Sequence, residues 1–133
     1  MADLAEEDAD RDGPLEEGDI SSFDDGTFVF SEDAALRLLY PDCPAQAAKR
    51  AAAQLRPQHS LWHEVCPGDH WPRTRIRSII CTADRIVNPE WSERIARQRL
   101  AVQPEFLPGG HSPMLSRPAE LTAMLADFTP LAR

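Results

Sequence analysis

The chain has 133 residues and a formal net charge of −8, from 22 acidic and 14 basic side chains. This length fits one domain with one hydrophobic core. Half of the acidic residues lie in the first 25 positions, where Arg11 is the single basic residue. This excess of negative charge argues against a nucleic-acid partner. The sequence also has no apolar run of the roughly 18 residues that span a bilayer, so we expect no membrane partner.

Three cysteines, Cys43, Cys66 and Cys81, show no CxxC spacing. An odd number of cysteines in a short chain favours reduced thiols over a disulfide framework. The N-terminal sequence MADLAEEDADRD is acidic, whereas a signal peptide begins with basic residues. We therefore expect a cytoplasmic protein, in which Cys43 and Cys81 act as small buried apolar side chains.

Residues 1–26 combine acidic runs with glycine and proline, and they contain few apolar side chains. Such a segment cannot bury enough surface to offset the entropy lost when its backbone becomes ordered. We interpret it as an acidic flexible tail, which is either a solvated extension or an interaction segment. Residues 27–133 then form the folded domain.

Two helices are predicted after the short apolar stretch TFVF at residues 27–30. Ser31, followed by two acidic residues, is typical of a helix start, and the first helix is expected over residues 32–40. The prolines of the PDCP sequence then interrupt it. Pro44 suits the first position of a second helix in AQAAKRAAAQL, which is rich in strong helix formers.

Residues 57–74 contain prolines, histidines and tryptophans without periodicity, and they predict an irregular connection. His59, His63 and His70, with Cys66 between the last two, raise the question of a zinc site. The H-x₂-C-x₃-H spacing lies near the lower end of known ligand spacings. No fourth ligand is evident, however, and we expect no metal and only solvated or packing side chains.

Two units of strand, loop and helix follow. In the first unit, residues 76–81 predict a buried strand, and Asn88 and Pro89 predict the cap and first residue of a helix. The second unit has a strand in AVQPEFLPGG and a last helix in SRPAELTAMLADF, with Ser116 as its cap. The expected apolar face of that last helix comprises Leu121, Met124, Leu125 and Phe128.

Asp84 and His111 each follow one of these two strands. Alternating strands and helices favour a parallel sheet, in which reactive groups gather beyond the carboxyl ends of the strands. A right-handed crossover would bring the two strand ends side by side. Asp84 could then orient the His111 ring and stabilise the imidazolium that forms when the histidine accepts a proton. The simpler alternatives are that Asp84 caps the next helix and that His111 is a hydrogen-bonded turn residue.

The sequences TADRIVNPEW and LPGGHSPMLSRPAEL resemble the α/β-hydrolases, and within them the small esterases and hydroxynitrile lyases related to plant methyl esterases. In that family an acid follows a strand and its loop runs on to a proline, which residues 84–89 match. The family histidine follows a glycine-rich turn, which residues 109–111 match. Residues 27–60 resemble part of the family's helical lid. The resemblance implies an α/β fold class, with a lid segment followed by the last two parallel strands of the hydrolase fold and their helices.

The resemblance also implies a Ser-Asp-His triad in that chain order, with the serine on a G-x-S-x-G turn. Asp84 would be the acid of this triad and His111 its base. None of the six glycines brackets a serine or cysteine in that pattern, and the strands that carry the oxyanion-hole amides in the family are also missing. We therefore expect the lid and C-terminal half of an ester hydrolase, inactive by itself.

Two possibilities remain open for the function of such a chain. If the hydrolase were completed, its substrate would be a small-molecule ester and it would need no cofactor. The alternative is a non-catalytic interaction protein or complementing fragment, which pairs through an exposed sheet edge. Its partner would be a second copy of the chain or a missing N-terminal half.

Overall fold

The computed structural model describes residues 15–59 and 75–126. These residues form a three-stranded antiparallel sheet with two helical segments, and a two-stranded parallel sheet with three helices. No helix within these two ranges is long and apolar enough to cross a membrane. The zinc candidates His63, Cys66 and His70, together with Phe128, lie outside the described residues.

The antiparallel sheet begins earlier than composition suggested. Strand β1 (Ile20–Ser22) pairs with β2 (Thr27–Phe30), and β2 pairs in turn with β3 (Gln58–His59). At the turn of the β1–β2 hairpin, Asp25 Oδ1 accepts hydrogen bonds from the backbone N–H and the hydroxyl of Thr27. Residues 20–26 therefore belong to a hairpin. The prediction of a flexible tail over residues 1–26 was wrong for these residues.

Asp19 explains why the composition of this segment was misleading. Its carboxylate accepts hydrogen bonds from the backbone N–H of Glu16 at 2.6 Å and from the Arg37 guanidinium at 2.5 Å. Its carbonyl accepts the Ser31 N–H at 2.8 Å. An acidic segment can thus be ordered when its charges find partners far along the chain, which composition does not reveal.

The two predicted helices of this region are confirmed. The Ser31 hydroxyl accepts the N–H of Ala34 at 3.3 Å and caps α1 (Glu32–Ala34), which continues into a π-helical segment (Ala35–Leu39). Leu38 in that segment is fully buried and anchors it to the core. Helix α2 (Ala45–Ala52) begins directly after Pro44.

The parallel sheet is also confirmed. Strands β4 (Ile79–Cys81) and β5 (Glu105–Leu107) run parallel, with Ile80 opposite Phe106, and helix α3 (Pro89–Gln98) connects them. Asn88 Oδ1 caps α3 by accepting the N–H groups of residues 90 and 91. Ile80 is buried in the core. The chain thus runs from strand to helix to strand, in the expected order.

The last predicted helix is confirmed over residues 118–126, but a short helix that was not predicted comes directly before it. Helix α4 (Pro113–Ser116) ends at the residue that was expected to be a cap, and α5 (Pro118–Ala126) begins two residues later. The Ser116 hydroxyl oxygen is buried and makes no hydrogen bond. Each helix starts at a proline, a residue preorganised for the first helical position. The prediction of Ser116 as a cap was therefore wrong, and Leu125 of the expected apolar face is exposed.

Candidate active site

Hydrogen bonds between the two parallel strands continue into the loops that follow them. The N–H of Thr82 donates to the carbonyl of Leu107 at 3.0 Å, and the N–H of Ala83 donates to the carbonyl of Gly109 at 2.9 Å. The two loops are therefore held side by side at the carboxyl edge of the sheet. Reactive side chains of open α/β folds gather at this edge.

Asp84 and His111 project from these two loops and touch. His111 Nδ1 lies 2.9 Å from Oδ2 and 3.1 Å from Oδ1 of the Asp84 carboxylate. The Asp84 side chain keeps 14% of its surface exposed and the His111 side chain keeps 34%. Because Nδ1 is engaged, Nε2 is the ring nitrogen that can exchange a proton with another molecule.

The loop after β4 fixes the orientation of the Asp84 carboxylate. Oδ1 accepts the backbone N–H of Ile86 at 2.8 Å and that of Val87 at 3.0 Å. This arrangement is an Asx turn, in which an aspartate side chain replaces a backbone acceptor. The carboxylate can therefore orient the His111 ring without relying on a flexible side-chain position.

The charge state of Asp84 suits this role. Burial raises the pKa of the carboxyl group, but the hydrogen bonds from His111 and from the N–H groups of Val87 and Ile86 outweigh burial. The pKa of Asp84 is lowered overall, because each of these bonds favours the ionised form. The group is therefore a carboxylate at neutral pH and can stabilise a positively charged imidazolium.

The glycine turn before His111 packs against a residue from the distant loop at positions 41–43. The N–H of Gly110 donates to Asp42 Oδ2 at 3.0 Å. A Cβ atom on Gly109 would lie 2.8 Å from both Asp42 Oδ2 and Arg117 Nε, and a Cβ on Gly110 would lie 2.9 Å from Asp42 Oδ1. A side chain at either position would therefore force the Asp42 carboxylate to move, and at Gly109 the Arg117 side chain as well.

Sequence reasoning did not identify Asp42 as part of the site. The residue lies 68 positions before Gly110, and no local pattern connects the two. The one available signal was its place in the PDCP break, where an aspartate flanked by proline and cysteine interrupts two helices. That signal predicted a turn but gave no information about what the turn contacts.

Two cavities meet at His111. The first has a volume of about 600 Å³ and lies between the β2 strand, the end of the first helical segment and the Asp84 loop. Its apolar lining includes Phe28, Phe30, Leu39, Leu55 and Val87. The second has a volume of about 400 Å³ and lies between β4 and α3, where Trp91 and Met114 line it. His111 is thus reachable from an apolar pocket as well as from the face of the sheet.

Cys43 and Cys81 lie close to this region. Burial raises the pKa of both thiols, and nearby carboxylates raise it further. Such thiols are poor nucleophiles. Both side chains are partly rather than fully buried, which differs from the prediction of buried apolar residues. Across residues 15–59 and 75–126, no group of three or more His, Cys, Asp or Glu side chains is arranged to hold a metal ion.

Comparisons with known proteins bear on the family and the fold of the chain. The profile of the alpha/beta hydrolase family matches residues 2–124. Among solved structures, a mutant of polyneuridine aldehyde esterase is similar, with a TM-score of 0.65 and 15% sequence identity over 81% of this chain. The chain spans 46% of the length of that structure. No curated protein matches the sequence. The likeness of the two structures confirms the predicted α/β fold class.

Proposed function

Because the chain belongs to the alpha/beta hydrolase family, we propose that Asp84 and His111 are the acid and the base of a carboxylic-ester hydrolase. The contact of His111 Nδ1 with both carboxylate oxygens of Asp84 carries this proposal. The carboxylate holds the ring in the tautomer that has its proton on Nδ1. Nε2 is then the base that accepts a proton from a nucleophile, and Asp84 stabilises the imidazolium that results.

In the proposed reaction, a serine hydroxyl gives its proton to Nε2 of His111 as its oxygen attacks the ester carbonyl. His111 then protonates the departing alcohol, and an acyl-serine remains. Water then attacks the acyl carbonyl as it gives a proton to the same nitrogen, and His111 returns that proton to the serine oxygen as the carboxylic acid leaves. The sequence has no G-x-S-x-G turn, and Ser112 is buried on the same turn as the base. The proposal therefore assigns the nucleophile to a protein segment outside this sequence.

The cavity beside His111 supports a substrate with an apolar part. Most of its lining is apolar, which favours a hydrocarbon group, and Gln54, Arg56 and Gln58 supply polar groups beside it. At about 600 Å³ it is large enough for a small acyl or alcohol group. We propose that this group of the ester occupies the cavity while its carbonyl lies near Nε2.

A second candidate function is that of a non-catalytic or complementing fragment. Among the described residues, β4 pairs with β5 alone, so one edge of this short sheet is open to a further strand. The cavity against β4 and α3 lies on the same side as the exposed side chain of Met114. Open strand edges and exposed apolar side chains favour association with another chain.

Hydrolysis of a p-nitrophenyl ester by the purified chain tests the first proposal. We expect the rate to equal the uncatalysed background, because a base without a nucleophile and an oxyanion hole has little to act on. Turnover that disappears in the His111→Ala variant would show that the chain carries its own nucleophile. A Ser112→Ala variant serves as the matched control for the neighbouring hydroxyl.

Complementation tests whether the pair can act as acid and base. The chain is co-expressed with the N-terminal half of polyneuridine aldehyde esterase, the part that a C-terminal half of the fold would need. We expect ester hydrolysis that falls by about 10⁴-fold in the Asp84→Asn variant, as for loss of the orienting carboxylate in a serine hydrolase triad. Formation of a complex without any hydrolysis would favour the second candidate, and concentration-dependent self-association of the chain would favour pairing between copies.

A further inference from the structure

We propose that Asp42 is a positioning residue for His111. It holds the glycine turn from which the imidazole projects, and it ties that turn to the loop between the two helical segments. The expected loss of catalysis without Asp42 rests on the proposed function. The expected weakening of the contact between His111 and Asp84 does not rest on it, since that contact is a property of the folded chain.

The loop at positions 41–43 contacts the residues on both sides of His111. Before the histidine, the N–H of Gly110 donates to Asp42 Oδ2 at 3.0 Å. After it, Cys43 Sγ lies 3.9 Å from the carbonyl oxygen of Ser112. The backbone of His111 is thus held at its two ends by consecutive residues of one loop, and the Asp42 contact is the stronger because it involves a carboxylate.

The glycine turn is shaped around the Asp42 carboxylate. Gly109 has a φ of 135°, and a Cβ atom at this position or at Gly110 would lie within 3 Å of one Asp42 carboxylate oxygen. Glycine accepts such a conformation, but it also leaves the backbone with greater freedom than any other residue. A turn of two consecutive glycines therefore needs external contacts to keep one geometry. The Ala83 N–H holds the carbonyl of Gly109, and the Asp42 carboxylate holds the N–H of Gly110, the residue next to His111.

The charge of Asp42 is a rival explanation for any effect on the site. Burial raises the pKa of the Cys81 thiol at the end of β4, and the negative charges of Asp84 and Asp42 both add to that rise. The two carboxylates therefore act on the same part of the site. An asparagine at position 42 separates the explanations, because it keeps the accepting oxygen and loses the charge.

Two NMR measurements on the purified 133-residue chain test the positioning role: the titration of the Asp84 carboxyl carbon and the exchange with water of the proton on His111 Nδ1. The Asp42→Ala variant should raise the pKa of Asp84 towards its ordinary value and lose the protected Nδ1 proton. The Asp42→Asn variant should keep both wild-type signals. The His111→Ala variant sets the largest shift of the Asp84 titration, and Asp24→Ala, which removes an exposed hairpin carboxylate, is the control.

Wild-type signals in a folded Asp42→Ala variant would overturn the proposal. So would an Asp42→Asn variant that behaves like the alanine variant, because charge rather than position would then be the cause. Should the alanine variant fail to fold, Asp42→Ser replaces it, since serine suits a turn but carries a shorter side chain. In the complemented hydrolase, Asp42→Ala should lower kcat by about 10²-fold with little change in KM. Absence of hydrolysis in every variant would contradict the proposed function and leave the NMR result standing.

Discussion

Replacing Asp84 by asparagine removes the negative charge beside His111 but keeps the loop that holds the residue. The amide oxygen can still accept the N–H groups of Ile86 and Val87, which lie 2.8 and 3.0 Å from Oδ1. The amide nitrogen then faces Nδ1 of the ring, and His111 can accept from it only by moving its own proton to Nε2. The substitution therefore changes the tautomer while the geometry of the loop is retained.

The magnitude follows from the bonds that are lost. A hydrogen bond to a charged group contributes about 1.5–3 kcal/mol, and the partial exposure of the His111 ring places this one at the lower end. We expect a coupling of about 1.5–2 kcal/mol between Asp84 and His111. Asp84→Ala also removes the acceptor of two backbone N–H groups, at about 1 kcal/mol each, so it should destabilise the chain by about 3–4 kcal/mol.

Urea unfolding of the wild type, Asp84→Asn, His111→Ala and the double variant measures this coupling. The sign of its pH dependence follows from the pKa of Asp84, which is lowered in the folded chain from its ordinary value of 3.8. The stabilisation is fully present above that value and is lost as pH falls through the folded pKa. Additive effects of the two substitutions at neutral pH, to within about 0.3 kcal/mol, would refute the pairing, and so would a coupling that persists after the carboxylate is protonated.

Further substitutions test the core, a helix cap and the glycine turn. Leu38→Ala, at a side chain with no exposed surface, should lower the free energy of unfolding in urea by about 2–5 kcal/mol. Leu15→Ala, at a side chain that is 47% exposed, should change it by less than about 0.5 kcal/mol. Equal effects of the two substitutions would contradict the assigned core. Asn88→Ala removes the acceptor of two N–H groups at the start of α3. It should lower the free energy of unfolding, measured by thermal unfolding, by about 1 kcal/mol. An unchanged melting curve would contradict the assigned cap. Gly109→Ala should be more destabilising than Gly18→Ala by about 1–3 kcal/mol, because both positions have positive φ but only Gly109 lies against other atoms. Similar losses in the two alanine variants would show that backbone strain alone sets the cost.

Several elements followed from residues close together in the chain. Ser31 and Asn88 provide side-chain oxygens at helix starts, and both cap the helices that they were expected to cap. The order of strand, helix and strand required a parallel pair with its two loops at one edge. Local hydrogen bonding and chain connectivity were sufficient for these predictions, and the same loops carry Asp84 and His111.

Contacts between distant parts of the chain decided the features that local sequence did not predict. Asp19 became part of a folded segment because Arg37 lies beside it. The short helix α4, which was not predicted, ends at Ser116, and the Ser116 hydroxyl makes no hydrogen bond. The sequence alone determined that an acid and a histidine would share one edge of a sheet. Only the tertiary structure decided that Asp42 closes the turn before that histidine, because a contact across 68 residues depends on how separate elements pack and leaves no periodic trace in the chain.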